Sequence, residues 1–355
     1  MWQFSDDERA GFLDSADRVT VGPGVEEEFD AREPRRRVGR VAAWGAGVLL
    51  AGVSVVLGFR VADSDGFTPV PQILAFLPWL LVPAVAGLLM TVLARWRVGM
   101  LWGVVVLGVV AWYMEPYGNT DAPSGPAVAE LRVLTSNVEF GGGTEGLVDA
   151  VREERPDLLF VEECDFSCSA LLRKELPHAD YPYRESVEAS GAEGSVILAK
   201  VPLKGADGID GTLGMPGAVA DVEGHPVRVQ LAHPMPPVPR GVGLWQSELG
   251  RIREYAAAGD GKPTIIAGDF NATQDHAAFR SVLDKGKLRD AARLAGSSRA
   301  PSWPAAAPAP LGAQIDHVLA TPDFSARDAR FLDIGHTDHR ALVVTLTLHK
   351  AETER

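Results

Sequence analysis

The sequence predicts an α/β domain of two β-sheets packed face to face with helices outside, preceded by three transmembrane helices. Residues 38–114 are almost free of charge, whereas the residues after about 129 mix apolar runs with acids, bases, glycines and prolines. In that second part, short apolar runs alternate with amphipathic stretches, and helices fall between only some of the strand candidates. The chain therefore divides into a tail (1–37), a transmembrane region (38–114), a linker (115–130) and a soluble domain (131–350).

Three apolar stretches have close to the ~20 residues that a helix needs to cross a bilayer. They run from Val41 to Phe59, from about Gln72 to Ala94 and from about Val98 to Met114. The first and third are slightly short, so a buried core is the alternative interpretation. No small-residue cleavage pattern follows the first stretch, which begins about forty residues into the chain, so we expect it to remain in the mature protein.

The charges that flank these stretches are distributed asymmetrically. Two aspartates, Asp63 and Asp65, lie in the first connection, and two arginines, Arg95 and Arg97, lie in the second. The first stretch is preceded by five arginines: Arg32, Arg35, Arg36, Arg37 and Arg40. Lys and Arg near membrane helices are retained on the cytoplasmic side. We therefore expect a multi-pass protein of the cell membrane, with a cytoplasmic N-terminus and an extracytoplasmic soluble domain.

The overall charge argues against a protein that binds long nucleic acids. The formal net charge is −13, and residues 115–355 carry 35 of the 47 acids but only 24 of the 34 bases. Proteins that bind duplex DNA gain most of their affinity from Lys and Arg that neutralise phosphates. A local basic groove is still compatible with this composition.

The only two cysteines, Cys164 and Cys168, lie four positions apart. A short disulfide loop and two free thiols are both open, because the bond depends on the shape of the intervening turn. A zinc site would need more ligands than this pair supplies.

The regular elements of the soluble domain follow from apolar periodicity. The strand candidates are Leu131–Ser136, Leu158–Glu162, Ser195–Ala199, Val227–Ala232, Thr264–Ala267, Ile315–Ala320 and Ala341–Leu346. The helix candidates are Thr144–Glu154, Leu244–Ala257 and Asp275–Leu283. Three segments between these elements, 165–185, 234–243 and 299–312, are predicted to be the loops that determine specificity.

Polar residues fall at or just past the ends of the predicted strands, where a scaffold can direct them into one cleft. They are Asn137, Glu163, His233, Asp269, Asn271, Asp316, His317, Asp338 and His339. The segments that carry most of them, 131–138, 156–163, 268–272, 315–319 and 337–340, resemble in sequence and order the motifs of the endonuclease/exonuclease/phosphatase (DNase I-like) family. The resemblance covers about 220 residues and implies a two-sheet fold that hydrolyses phosphoesters.

The resemblance also implies a metal site. Glu163 aligns with the metal-binding glutamate of the family and Asn137 with the asparagine beside it, while Asp338 supplies a further oxygen and Glu139 is a weaker candidate. Such ligands suit Mg²⁺, with Mn²⁺ or Ca²⁺ as alternatives. Glu162 stands where the family commonly has glutamine, which leaves an ambiguity of one residue in the alignment.

The catalytic residues implied by the resemblance are two histidines and their polar neighbours. His339 acts as general base or phosphate-stabilising acid, and Asp316 accepts a hydrogen bond from its other ring nitrogen. Asp269 aligns the attacking water or acts with the metal, and Asn271 donates to a phosphoryl oxygen. His233 resembles the second histidine of the nuclease and sphingomyelinase branches, whereas His317 and His336 are expected to serve packing or surface roles.

The expected reaction is in-line attack of water on phosphorus, without a covalent enzyme intermediate. The partners expected are the membrane and a phosphoester substrate, which is small, lipid-linked or a nucleic acid; no protein partner is evident. The negative charge and the membrane region favour a small or membrane-borne phosphoester. An extracellular nuclease and a catalytically inactive binding or sensing module are the alternatives.

Overall fold

The computed structural model describes residues 32–259, 261–308 and 311–350. The predicted tail therefore lies almost entirely outside the described residues. The chain starts with an apolar helical region, whose elements are α1 (Arg32–Val61), α2 (Val70–Leu74), a 3₁₀ turn (Leu77–Leu80), α3 (Leu81–Leu93) and α4 (Arg97–Tyr113). Helices α1, α3 and α4 pack around a common apolar core that includes Leu50, Leu74, Ala84 and Val106.

The prediction of three transmembrane helices is supported for the first helix alone. Within the described residues, one helical stretch is long and apolar enough to cross a membrane, the 25 residues Arg37–Val61. The stretches Leu77–Leu93 and Arg97–Tyr113 are apolar but shorter, and a helix of 17 residues reaches only ~26 Å. The second predicted span is not one continuous helix, because the chain turns between Leu74 and Leu77.

The outer surface of this helical region is also apolar. Most of the exposed large hydrophobic side chains in the described residues lie between Val38 and Trp112, among them Val48, Leu101 and Trp112 itself. A helix that is apolar on all sides is typical of a protein core or of a membrane, and the outward-facing residues here have no protein cover among the described residues.

The soluble domain contains two six-stranded sheets. The first sheet has the order β11-β12-β1-β2-β4-β3 and the second β5-β6-β7-β8-β10-β9. The strands are β1 (Ala127–Asn137), β2 (Leu158–Glu162), β3 (Tyr183–Val187), β4 (Ser195–Ala199), β5 (Leu203–Ala206), β6 (Gly217–Val222), β7 (His225–Ala232), β8 (Thr264–Asp269), β9 (Arg289–Asp290), β10 (Asp316–Ala320), β11 (Phe324–Leu332) and β12 (Ala341–His349).

Helices cover the outer face of each sheet. They are α5 (Thr144–Glu154), α6 (Phe166–Glu175), α7 (Val242–Ala257) and α8 (Ala277–Gly286). The short helix α9 (Ala291–Leu294) instead contributes Ala291 and Ala292 to the core between the sheets. One apolar core, which includes Phe160 and Val229, lies between the two sheets. Two further cores separate the sheets from helices, one beneath α5 and α6 and the other beneath α7 and α8. This arrangement confirms the predicted two-sheet α/β sandwich.

The topology brings particular strand ends to one edge of the sandwich. Strands β1 and β2 are parallel, and so are β7 and β8, so the carboxyl ends of each pair lie side by side. Strands β10 and β12 are antiparallel to β8 and β1, so their first residues lie at the same edge. In the second sheet, Asp316 pairs directly with Asp269. The edge therefore collects the polar residues that were predicted from the strand ends.

Several element boundaries differ from the predictions. The first strand begins at Ala127, within the predicted linker, and the loop predicted for 165–185 contains α6. Helix α6 starts where the Asp165 side chain accepts a hydrogen bond from Cys168 N, a common way to satisfy the first amides of a helix. Cys164 and Cys168 form a disulfide, which answers the question that the sequence left open.

Candidate active site

One edge of the sandwich, the active edge, is formed by the carboxyl ends of β1, β2, β7 and β8 and by the residues that begin β10 and β12. Asn137 lies between two carboxylates at the centre of this edge. It is the last residue of β1, and its amide nitrogen donates to Glu163 Oε1 (3.1 Å) and to Asp269 Oδ2 (3.2 Å). Its amide oxygen accepts from Glu139 N (3.0 Å). Asn137 therefore links the two sheets, but in this arrangement its nitrogen rather than its oxygen faces the carboxylates.

The doubled acid at the end of β2 separates into two environments. Glu162 is fully buried, accepts from Thr135 Oγ1 (2.9 Å), and burial raises the pKa of its carboxyl group well above the usual range. Glu163 has a positive φ of 53°, which turns its side chain toward Asn137 and lets Phe140 N donate to its second oxygen. Glu163 is thus the acid that contacts Asn137, whereas Glu162 is buried behind the site, where the nearby carboxylates of Asp316 and Asp269 raise its pKa further.

His339 and Asp316 form a buried pair. His339 Nδ1 lies 3.0 Å from Asp316 Oδ2, and His339 Nε2 lies 3.7 Å from Asp269 Oδ2. Burial alone would lower the pKa of the imidazole, but Asp316 and Asp269 outweigh it and raise that pKa to about 10. His339 is therefore a cation near neutral pH, with Asp316 fixing the orientation of its ring.

Asp269 is buried at the end of β8. Burial raises the pKa of its carboxyl group, His339 opposes this rise, and Asp316 adds to it. Its Oδ1 accepts from Asn271 N (2.8 Å), which leaves Oδ2 facing Asn137, His233 and His339. A carboxyl group with a raised pKa is suited to accept a proton near neutral pH.

His233 completes the buried cluster from β7. Its Nε2 lies 3.8 Å from Glu163 Oε1 and 3.9 Å from Asp269 Oδ2. Burial, together with the charge of His339, lowers the pKa of His233 to about 3, so it is neutral. Its Nδ1 has no hydrogen-bond partner among the described residues.

Asn271 is turned partly away from this cluster. Its backbone has a positive φ of 49°, and Nδ2 donates to Pro234 O (3.0 Å), the residue after His233. An amide NH₂ group carries two hydrogens, so one remains for a ligand.

His317, which was expected to have a packing role, is buried outside the cluster and bonds to Asp290 Oδ2 (2.7 Å); His336 is exposed.

Asp338 lies at the rim rather than in the buried cluster. Its side chain is 48% exposed, and its Oδ1 lies 3.7 Å from His339 Nε2. Its Oδ2 accepts from Trp303 Nε1 (2.7 Å), and its backbone nitrogen donates to Glu139 Oε2 (2.8 Å). Asp338 thus joins the histidine side of the site, and no contact in the described structure joins it to Glu163.

The loop that carries Trp303 borders the histidine side of the site, and the sequence did not single out this residue. Ser302 Oγ accepts from Asp316 N (3.1 Å), and the Arg340 guanidinium donates to Pro301 O (2.8 Å) and Ala305 O (2.6 Å). These bonds hold the Trp303 loop against the two catalytic strands. The sequence predicted 299–312 to be one of the loops that determine specificity, but it did not single out Trp303 or its hydrogen bond to Asp338, the neighbour of His339.

The donor set at the edge fits a hard divalent cation. Glu163 Oε1 and Asp269 Oδ2 both lie beside the Asn137 nitrogen, so two carboxylates, which are ligands that Mg²⁺ prefers, flank one point of the edge. The Asn137 oxygen, which is the ligand atom of an amide, faces Glu139 N instead. A second grouping is possible, since one atom each of Asp269, Asp316 and His339 lies within 4.8 Å of the others. We favour the grouping around Glu163, because His339 Nδ1 and Asp316 Oδ2 are already occupied by the hydrogen bond between them.

A two-sheet α/β sandwich with buried acids and histidines at one edge is the architecture of a class of hydrolases that cleave phosphoester bonds. The model of the endonuclease/exonuclease/phosphatase family matches residues 134–339, and this chain belongs to that family. No protein of curated function matches the chain.

Solved structures share the fold at low identity. An endonuclease/exonuclease/phosphatase from Beutenbergia cavernae is 19% identical, with a TM-score of 0.51 over 63% of this chain and 73% of that one. TDP2 from D. rerio, solved with a single-strand DNA product, is 14% identical, with a TM-score of 0.51 over 62% of this chain and 99% of that one. These similarities establish the fold alone.

Proposed function

We propose that this chain is a membrane-anchored, divalent-metal-dependent phosphoesterase that hydrolyses a phosphodiester or phosphomonoester by in-line attack of water. The observation that carries the proposal is the convergence of Glu163, Asp269 and His339 at one edge of the sandwich. Glu163 and Asp269 both lie within 4 Å of the Asn137 nitrogen, Glu163 lies within 4 Å of His233, and Asp269 lies within 4 Å of His339. An inactive binding module would not need this buried set of acids and histidines, which is costly unless its members are paired.

The side chains divide the reaction between them. Cationic His339, held by Asp316, stabilises the charge that develops on the phosphoryl oxygens. Asp269 orients the attacking water through Oδ2 and accepts its proton, and the free N–H of Asn271 donates to a phosphoryl oxygen. Neutral His233 borders the same space and can donate or accept one hydrogen bond.

Glu163 is the residue that would hold the cation, and Asn137 would join it through Oδ1, the atom that accepts from Glu139 N in this arrangement. Asp338, on the histidine side of the rim, would supply an oxygen to a second ion. Mg²⁺ fits best, and Mn²⁺ or Ca²⁺ fit the same oxygen ligands. When bound, such an ion supplies Lewis-acid polarisation of the phosphoryl group and neutralises its charge.

The membrane assignment is supported by the length of Arg37–Val61 and by the apolar outer surface of the helical region. In the structure, the first connection and the end of α4 lie on the side of the soluble domain, as the predicted topology requires. The arginine distribution then assigns that side to the exterior, so we infer that the catalytic domain is extracytoplasmic.

The excess of acids after residue 115 favours a small or lipid-linked phosphoester over long duplex DNA. A nuclease is the second candidate. One observation favours it: the fold is shared with D. rerio TDP2, solved with a single-strand DNA product. His233 is compatible with both candidates, because it resembles a histidine of the nuclease and of the sphingomyelinase branches.

A substrate screen with the full-length chain in detergent tests the proposal. The substrates are plasmid and single-stranded DNA, phospholipids, inositol phosphates and simple phosphodiesters, each with Mg²⁺ or with a chelator, and Glu163→Gln is the control for hydrolysis by this site. We expect Mg²⁺-dependent hydrolysis of a small or lipid phosphoester. Hydrolysis of DNA alone would select the nuclease, and no hydrolysis of any substrate would favour the binding module.

A further inference from the structure

The connection between α1 and α3, residues 62–80, is docked on the soluble domain. Both carboxylate oxygens of Asp65 accept from the first amides of α8, Ala277 N (2.6 Å) and Ala278 N (2.9 Å). His276 Nδ1 accepts from Thr273 N, so its Nε2 carries the hydrogen and donates to Pro71 O (2.8 Å). The start of α8 is therefore fixed by groups of the helical region.

A buried ionic network ties the ends of two apolar helices to the same surface. Asp275 has a fully buried side chain and accepts two hydrogen bonds from the Arg299 guanidinium (2.7 and 2.9 Å). Arg60, at the end of α1, lies 3.9 Å from Asp275. Arg299 also donates to the carbonyl oxygens of Tyr113 and Met114 at the end of α4.

The loops in these contacts are those that carry the catalytic side chains. Asp275 and His276 lie in the loop after Asp269, and Arg299 lies in the loop before Asp316. The loop after His233 contacts the helical region as well, since the Gln72 amide donates to Pro237 O. The helices are thus docked on the active edge of the second sheet and not on its opposite end.

An aromatic pair leads from the helical region to the catalytic histidine. The rings of Phe76 and Trp303 have centroids 6.2 Å apart, and Trp303 Nε1 donates to Asp338, the residue before His339. Both aromatic side chains are half-buried. Trp79, three residues after Phe76, is 40% exposed just before the apolar helix α3, and tryptophan beside an apolar helix commonly marks the membrane interface.

From this geometry we propose that the substrate is a phosphoester of a bilayer lipid, and that Phe76 and Trp303 are specificity-determining residues that contact its apolar part. The inference rests on the proposed function and names its substrate class. With the helices in the bilayer, the active edge stands at the level of lipid headgroups, so the phosphate reaches Glu163 and His339 while the lipid stays anchored. The net negative charge of the soluble domain disfavours long duplex DNA, which is itself a polyanion, as the substrate.

The test compares lipid and water-soluble substrates with the full-length chain and Mg²⁺. Vesicles that contain phosphatidylcholine, phosphatidylethanolamine, phosphatidylglycerol and sphingomyelin supply the lipid, with released headgroups as the readout, and bis(p-nitrophenyl) phosphate is the soluble diester. We expect hydrolysis of lipid, and Phe76→Ala should lower the ratio of lipid to soluble turnover about tenfold or more, since an aromatic contact is lost. Phe76→Leu, which retains apolar volume, should restore part of the ratio.

The matched control is Phe67→Ala, because Phe67 lies in the same connection but packs on Phe59 instead of the active edge; its ratio should stay unchanged. Thermal unfolding of each variant excludes loss of folded protein. Turnover of the soluble diester with no lipid cleavage, or an unchanged ratio in Phe76→Ala, would overturn the inference while the proposed function stands. Absence of turnover for every substrate would instead reject the proposed function.

Discussion

His339 Nδ1 lies 3.0 Å from Asp316 Oδ2. His339 directly precedes β12 of the first sheet and Asp316 begins β10 of the second, so this contact joins the two sheets. Asp316 is paired in register with Asp269, so a single imidazole faces two buried carboxylates. The pair is therefore expected to act as one unit in catalysis, and its disruption should affect the charge and the orientation of the ring together.

His339→Ala should lower kcat by roughly 10²–10⁴-fold. If the pair acts as a unit, the double variant Asp316→Ala/His339→Ala should lose no more than about threefold beyond that. Steady-state kinetics of the two single variants and the double variant provide the measurement. Fully additive losses would show that Asp316 supports the fold rather than the histidine.

Glu163→Gln should lower turnover about 100-fold or more, because it removes one charge from a proposed metal ligand with little change in shape. Binding of Mg²⁺, followed by calorimetry, should weaken in parallel. Glu153→Gln is the matched control, since Glu153 is an exposed acid on α5, and its activity should equal that of the wild type. Undiminished activity of Glu163→Gln, or of the wild type in excess chelator, would remove the metal-dependent mechanism.

The protonation of His339 should persist to unusually high pH. Because its pKa rises from 6.5 to about 10 in the folded chain, its contribution to stability is fully present below about pH 6.5 and is lost as the pH rises through about 10. Spectra of the ¹⁵N-histidine-labelled, metal-free chain should show an imidazolium signal at pH 8, which disappears in His339→Gln. A neutral imidazole at pH 8 would contradict the assigned ion pair.

Asp275→Asn should destabilise the chain by about 3 kcal/mol, because it leaves the Arg299 guanidinium without its buried partner. Denaturant unfolding of the full-length chain in detergent measures the change. Asp149→Asn is the matched control: Asp149 is 80% exposed and lies 3.3 Å from Arg152, so its loss should cost less than about 1 kcal/mol. Equal effects of the two substitutions would argue against a rigid junction between the helices and the soluble domain.

The topology prediction can be tested with reporter fusions. A reporter that is active only outside the cytoplasm should be active after Gly118, because the arginine distribution predicts that this residue lies outside. The same reporter fused after Arg95 should be inactive. The reverse pattern would place the soluble domain in the cytoplasm.

The strand ends that bring the candidate site residues together were easier to predict from the sequence than the segments around them. Glu163, Asp269 and Asp316 follow or begin short, fully buried apolar strands, whose pattern is local and therefore visible in one dimension. Strand β11 was not predicted because it is an edge strand that carries exposed charged residues such as Arg327 and Asp328. Polar edge positions carry little strand signal.

Contacts between distant segments could not be predicted either. The Trp303–Asp338 hydrogen bond spans 35 positions and the Asp65–Ala277 hydrogen bond spans 212, and no periodicity encodes them. The second apolar stretch was wrongly predicted as one span because composition alone does not show where the chain turns. Prolines 69, 71 and 78 stand at the starts of short helical pieces there, which is where a residue without an N–H group is tolerated.

The carboxylate that completes α8 also bears on how the chain matures. Asp65 is synthesised 212 residues before Ala277, from whose backbone amide it accepts a hydrogen bond. During vectorial synthesis the apolar helices are therefore in place before the helix that needs them, and they can act as a template on which the later domain closes. A fragment that lacks those helices would begin folding with two amide groups of α8 without their native acceptor, so the helical region would assist the assembly of the soluble domain.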